Sequence, residues 1–291
     1  MIGRLCVIGV GLIGGSIAKA ARTRGLCREI VGVDADAANL ARALELGVID
    51  AGYPEIAPGL DGTDWVLIAT PVGAFEPVLA AIRTSWSADA VYTDVGSTKQ
   101  SVIAAARRVF GEVPVNFVPG HPIAGAEKSG VEAAKDDLYT GRRVILTPTT
   151  NTDEQALRRV EAFWQALGAR VTRMDPAHHD EVLAATSHLP HVLAYALVHM
   201  LGRKDEQQEI FQYAAGGFRD FTRIASSDPT MWLDICLANR EQIVPLLAQL
   251  SGELGRVADL LETGAADELF DYFAEARGAR QRYLDQSEKQ P

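Results

Sequence analysis

The run Gly9-Val10-Gly11-Leu12-Ile13-Gly14 constrains this chain more than any other feature. It lies between an apolar segment, Arg4 to Gly9, with the character of a buried strand and a stretch, Ser16 to Thr23, that reads as a helix. In that setting the first glycine permits a tight turn, the second lets a pyrophosphate approach the backbone, and the third lets helix and strand pack closely. Asp34 ends the next apolar run, Ile30 to Val33, about 20 residues beyond Gly14. A carboxylate there accepts hydrogen bonds from the adenosine ribose hydroxyls and repels a 2′-phosphate. With no arginine directly after Asp34, the pattern points to NAD rather than NADP.

Apolar, β-branched runs recur at Trp65 to Ala69, Val91 to Thr93, Phe117 to Val118 and Val144 to Thr147, separated mostly by helical stretches. That alternation predicts an α/β, Rossmann-like amino-terminal domain with a doubly wound, mostly parallel sheet. An amphipathic helix, Glu154 to Leu167, and a short run, Arg170 to Met174, close it, so residues 1–174 form the expected dinucleotide domain. From Pro176 strand signals nearly vanish. Helices are expected over Asp180 to Met200, Glu206 to Tyr213, Pro229 to Leu250 and Gly255 to Glu262, making 175–291 an all-helical domain. Its apolar faces are too extensive for separate helices to hide, which predicts a homodimer built on this domain.

Composition narrows the function classes. The chain of 291 residues is 47% hydrophobic, enough for a substantial core and about two domains. Its 28 basic and 38 acidic side chains give a net charge of −10, which argues against nucleic acid as a partner. An anionic substrate would need locally placed arginines. Three cysteines without metal or redox spacing suit a reducing cytosol, and no uninterrupted apolar run of about 18 residues offers a membrane span, so a cytoplasmic protein is expected.

The loops after the strands carry the candidate chemistry, since ligands of an open parallel sheet bind beyond the carboxyl ends of its strands. Thr70-Pro71-Val72 leaves one strand and Asp94-Val95-Gly96-Ser97-Thr98-Lys99 another; both should border the nicotinamide half of the cofactor. His121 follows the Phe117 to Val118 run in a loop, held extended by Pro122, as a candidate base. On its own, His121 reads better as a hydrogen-bonded structural histidine in a loop than as a base. His188 and His191, or the pair His178-His179, could suggest a metal, but no nearby carboxylate or cysteine completes a ligand set, and none is expected.

Taken in order, Gly11 to Ser16, Asp94 to Lys99, the Pro119 to Gly130 segment, Ser187-His-Leu-Pro-His191 and Gly216 to Ile224 closely resemble the prephenate and arogenate dehydrogenases, or cyclohexadienyl dehydrogenases, of tyrosine biosynthesis. The resemblance implies oxidative decarboxylation. Hydride leaves C4 of the cyclohexadienol ring for NAD, the C4 hydroxyl loses its proton, and the ring carboxylate departs as carbon dioxide. It implies His121 as base with Ser97 assisting at the same oxygen, and Arg223 as the carboxylate ligand; were Arg223 not to bind it, another cation such as Arg219 or Lys99 would have to take that role. Asp220 would orient or gate Arg223. His191 would donate a hydrogen bond to substrate, His188 would stand beside it or simply pack, and Glu127 would belong to a gating network. Trp232 would match a family tryptophan that reaches the site from the partner subunit, with core packing the alternative. Prephenate is the expected substrate and arogenate the alternative. The family also implies feedback inhibition by tyrosine through the active site.

Two rivals make distinct demands. A β-hydroxyacid dehydrogenase uses a lysine on the interdomain helix, and Asp180 to Met200 contains none. A catalytically silent NAD sensor would need the glycine loop but not His121, Ser97 and Arg223 together.

Overall fold

The computed structural model describes residues 1–125 and 129–288, with side chains through Gln286. It divides into two compact units, Met1–Gln242 and the remainder from Ile243. The segment from 175 to 242 thus packs in the same unit as the parallel sheet.

The first unit opens with β1 (Ile2–Ile8), α1 (Leu12–Thr23), β2 (Cys27–Val33), α2 (Ala37–Glu45), β3 (Ala51–Tyr53), α3 (Ile56–Leu60), β4 (Trp65–Ile68), α4 (Phe75–Arg83), β5 (Val91–Asp94), α5 (Gln100–Phe110) and β6 (Phe117–Val118). Its six strands pair in the order β3-β2-β1-β4-β5-β6, every pair parallel. The order reverses direction between β1 and β4, which leaves a crevice beyond their carboxyl ends. Side-chain alternation explains why the second half of β1, Leu5 to Ile8, is apolar throughout. Leu5 and Val7 face one core with α1, while Cys6 and Ile8 face a second with α4 and α5. Each such fully buried aliphatic side chain contributes about 1.5 to 3 kcal/mol.

β7 (Gly120–Pro122), β8 (Arg143–Leu146), α6 (Glu154–Ala166) and β9 (Arg170–Arg173) follow. They form a separate three-stranded sheet in which β7 runs antiparallel to β8, and β8 parallel to β9. His121 therefore lies on a short strand opposite Ile145 rather than in a loop. Proline after it enforces the extended backbone, and the β8 register supplies the pairing. Neither β3 nor β7 was expected: each has only three residues, one of them glycine, too few to show alternation.

The helical part comprises α7 (Pro176–Leu183), a π-helical turn at Ala184–His188, α8 (Leu189–Gly202), α9 (Gln207–Gln212), α10 (Gly216–Thr222), a 3₁₀ turn at Arg223–Ser226, α11 (Pro229–Ala238), α12 (Arg240–Thr263) and α13 (Ala266–Glu288). The helix expected over Pro229 to Leu250 is broken at Asn239, which ends α11 with φ −116° and ψ 24°. The stretch Gly255 to Glu262 belongs to α12, and α13 was not foreseen. Among the described residues, no helix is long and apolar enough to cross a membrane.

Candidate active site

At the β1 end of the crevice the backbone itself is shaped for a ligand. Gly9 has φ +92°, and a Cβ there would lie 2.6 Å from the Ala69 carbonyl oxygen. Gly14 faces the Gly9 carbonyl so closely that no side chain fits. A Cβ on Gly11, by contrast, would meet nothing within 4 Å. The turn is therefore tight at its first glycine, packed at its third and open at its second. Gly11 precedes α1 without a side-chain cap, so first-turn N–H groups next to Leu12 and Ile13 remain available to an anion.

Asp34 stands at the end of β2. Its Oδ2 accepts from the Val10 N–H at 3.0 Å and the Asn39 amide at 2.9 Å, and its Oδ1 accepts from the Asp36 N–H at 3.0 Å. These bonds fix a carboxylate beside the glycine turn. Across the crevice, the Thr70 hydroxyl is buried without a hydrogen-bond partner among the described residues, a polar group placed for a ligand to satisfy. Pro71 is exposed and Val72 half-buried. This donor and acceptor set fits a dinucleotide.

Beyond β5 the chemistry passes to side chains. Asp94 and Lys99 are fully buried and paired, Nζ to Oδ2, at 2.5 Å. Together they clamp one residue from both sides: Asp94 Oδ1 accepts from the Gly120 N–H at 3.1 Å, and Lys99 Nζ donates to the Gly120 carbonyl at 2.7 Å. Burial pushes the Asp94 carboxyl up and the Lys99 amine down in pKa. The clamp sets the residue before His121. Lys99 therefore cannot stand in for Arg223 as a substrate cation, because its charge is committed inside the protein.

His121 Nδ1 lies 2.9 Å from His179 Nε2, and His179 Nδ1 lies 2.8 Å from Asp180 Oδ1. Asp180 also caps α5, accepting from the Lys99 N–H at 2.8 Å and the Gln100 N–H at 2.9 Å. Burial chiefly, then the neighbouring His179, Lys99 and His188, holds the His121 pKa well below the ordinary histidine value. The ring is neutral near pH 7. Ser97 is half-buried in the turn between β5 and α5.

The π turn, a feature often found at functional sites, positions the next two histidines. Buried His188 has Nδ1 3.0 Å from Asn239 Nδ2, and the same amide donates to the Asp180 carbonyl at 2.8 Å. Burial pulls the His188 pKa down to about 4. His191 Nδ1 lies 2.8 Å from the Ser187 carbonyl. Its Nδ1–H is thereby committed, so the neutral ring presents Nε2 as an acceptor rather than the donor expected from sequence. Burial lowers its pKa, with Arg223 adding a repulsive contribution, which places that guanidinium within electrostatic reach. Trp232 is buried. It stacks on His191 of its own chain at 3.7 Å between ring centroids and meets His188 edge-on at 6.1 Å.

Arg223 opens the 3₁₀ turn after α10, with Asp220 exposed in the preceding turn. Glu127 lies outside the described residues. The structure thus gathers His121, His188, His191 and Trp232, with Arg223 near His191. Sequence reasoning missed His179, Asp180, Asn239 and the Asp94–Lys99 clamp. The run His178-His179-Asp180 was the available signal, read only as a metal pair; His178 is exposed beside Glu181. Among the described residues no group of three or more His, Cys, Asp or Glu side chains is gathered for a metal.

Comparison with known proteins agrees with this geometry. Residues 17–173 match the family model described as prephenate dehydrogenase, nucleotide-binding domain, and residues 175–275 match prephenate dehydrogenase, dimerization domain. The chain is 38% identical over 278 residues to a prephenate dehydrogenase of Bacillus subtilis (strain 168), covering 95% of this chain and 75% of that protein. It is 37% identical over 283 residues to a cyclohexadienyl dehydrogenase of Zymomonas mobilis, covering 95% and 94%. A crystal structure of prephenate dehydrogenase from Aquifex aeolicus, in complex with hydroxyphenyl propionate and NAD+, superposes with a TM-score of 0.90 at 38% identity, covering 97% of this chain and 99% of that one. On the strength of both domain matches and relatives spanning nearly its whole length, the chain belongs to the prephenate dehydrogenase family.

Proposed function

We propose that this protein oxidises and decarboxylates prephenate with NAD, forming 4-hydroxyphenylpyruvate, carbon dioxide and NADH. The observation that carries the reading is a neutral His121, held by burial and anchored at one ring nitrogen, in the same unit as the dinucleotide cradle. Gly9, Gly11, Leu12, Ile13, Gly14, Asp34, Thr70, Pro71 and Val72 hold the cofactor, which when bound supplies the hydride acceptor. His121 takes the C4 hydroxyl proton and returns it to the phenolate oxygen left after carbon dioxide departs, with Ser97 bonding the same oxygen. Arg223 grips a substrate carboxylate through two parallel hydrogen bonds, a need made sharper by the acidic chain. Asp220 orients or gates that arginine. His191 presents Nε2 to the substrate, and Trp232 and His188 shape its pocket.

On this reading residues 1–174 bind the nucleotide and 175–291 bind substrate and form a homodimer in the cytoplasm. Exposed Leu254, Leu261, Phe270 and Phe273 on α12 and α13 support the dimer. Tyrosine, which shares the product's ring, competes at the same pocket. The cyclohexadienyl name of the Zymomonas relative favours arogenate as a second substrate. Steady-state rates with prephenate and arogenate, each with NAD and NADP, test these assignments. The expected result is fastest turnover with prephenate and NAD; a preference for NADP would refute the role of Asp34, and no turnover of either substrate would refute the function.

A further inference from the structure

The hydrogen-bond pattern around His121 determines which of its nitrogens is the base. Asp180 accepts backbone N–H bonds from Lys99 and Gln100, so its carboxylate is ionised and can only accept. The third group at Asp180, His179 Nδ1, must therefore be the donor. Burial keeps His179 neutral despite the carboxylate, so its Nε2 carries a lone pair. That lone pair faces His121 Nδ1 at 2.9 Å, and a hydrogen bond forms there only if His121 Nδ1 carries the proton.

We infer that His179, itself fixed by Asp180, is a positioning residue that holds His121 in the Nδ1–H tautomer and so leaves Nε2 as the proton acceptor for the substrate hydroxyl. A free histidine side chain favours the opposite tautomer, which would turn a donor toward the substrate oxygen. Placing the proton correctly before substrate arrives removes that unproductive form. The same bond persists when His121 becomes an imidazolium, since Nδ1–H still donates to His179. Asp180 ties this arrangement to the start of α5, where the Lys99 and Gln100 amides keep the carboxylate aimed. The inference deepens the assignment of His121 as base and rests on it for its kinetic consequence, but the tautomer itself is independent of any reaction.

Two variants separate positioning from simple support of α7. In His179→Asn the amide nitrogen takes the place of Nδ1, keeping the bond to Asp180 and losing the one to His121. In His179→Gln the amide oxygen takes the place of Nε2, keeping an acceptor for His121 and losing Asp180. Nitrogen NMR of the histidine-labelled full chain at about pH 8, where an ordinary imidazole is neutral, should show His121 protonated on Nδ1 in the wild type and in His179→Gln, and on Nε2 in His179→Asn. Turnover of prephenate should fall about 10-fold or more in His179→Asn, with the Michaelis constant within about threefold, and should be largely retained in His179→Gln. An Nε2–H tautomer in the wild type would overturn the inference. So would equal losses in both variants, or a His179→Asn enzyme at wild-type turnover. If the wild type does not turn over prephenate, the proposed function fails while the NMR result still decides the tautomer.

Discussion

At the mouth of β1 the groups proposed to meet the cofactor's pyrophosphate come from six consecutive residues, Gly9 to Gly14, and belong mostly to the backbone. Around His121 they are side chains brought from β7, α7, the π turn, α8 and α11. The first region works by leaving space: an open Gly11 and uncapped helix amides. The second works by filling it, with buried side chains several of which are held by partners far away in sequence. His121 and His179 are 58 residues apart, and His188 and Asn239 are 51 apart. α11 connects the regions, because Asp234 accepts from the Gly73 N–H at 3.1 Å while Trp232 stacks on His191. A site made of local backbone geometry tolerates changes elsewhere in the core, whereas a site made of buried side-chain pairs shares its stability with the fold.

That difference should show first in stability. Lys99→Met removes one partner of a buried ion pair and leaves Asp94 uncompensated, which should cost about 3 to 5 kcal/mol in denaturant unfolding. A loss below about 1 kcal/mol would show that the clamp on Gly120 is not structural. Next is the pH response. The fold holds His188 neutral with a pKa of about 4, so as pH falls the unfolded chain takes up the proton first, near 6.5. Its contribution is complete above about pH 6.5 and is lost down to about pH 4, roughly 3 kcal/mol in all. His121 and His179 shift in the same direction. Unfolding midpoints across that range should therefore decline steeply in the wild type and less steeply in His188→Gln; identical slopes would contradict the assignment.

Smaller effects probe ligand binding. Arg223→Ala should raise the Michaelis constant for prephenate about 10- to 200-fold, the equivalent of roughly 1.5 to 3 kcal/mol of charge-assisted bonding, with lysine rescuing only in part. Normal substrate binding with turnover alone impaired would move the carboxylate to another cation. Gly11→Ala should weaken NAD binding about tenfold, or roughly 1.4 kcal/mol, yet leave thermal stability unchanged, because its Cβ enters open space. Equal damage to folding and binding would erase the contrast between the two regions.

The same contrast explains what could be read from sequence. Glycine spacing and the carboxylate of Asp34 are local, and the paired cores on β1 follow from uninterrupted apolar runs. β3 and β7 are too short for periodicity, and only the β8 register makes Gly120 to Pro122 a strand. The roles of His179 and Asp180 depend on α7 meeting the start of α5, a contact that no spacing along the chain encodes. The break at Asn239 likewise joins a helix end to His188 and Asp180, neither of which is near it in sequence.

The chemical role given to the second region turns on His121 being the base for oxidation of prephenate. The decisive measurement follows NAD reduction under saturating substrate and cofactor in the wild type and in His121→Asn, with NAD affinity determined in both. Turnover should fall about 10²-fold or more in the variant while NAD binds within about twofold of wild type, because the base acts in the transition state. A His121→Asn enzyme that reduces NAD at the wild-type rate would show that another group takes the proton.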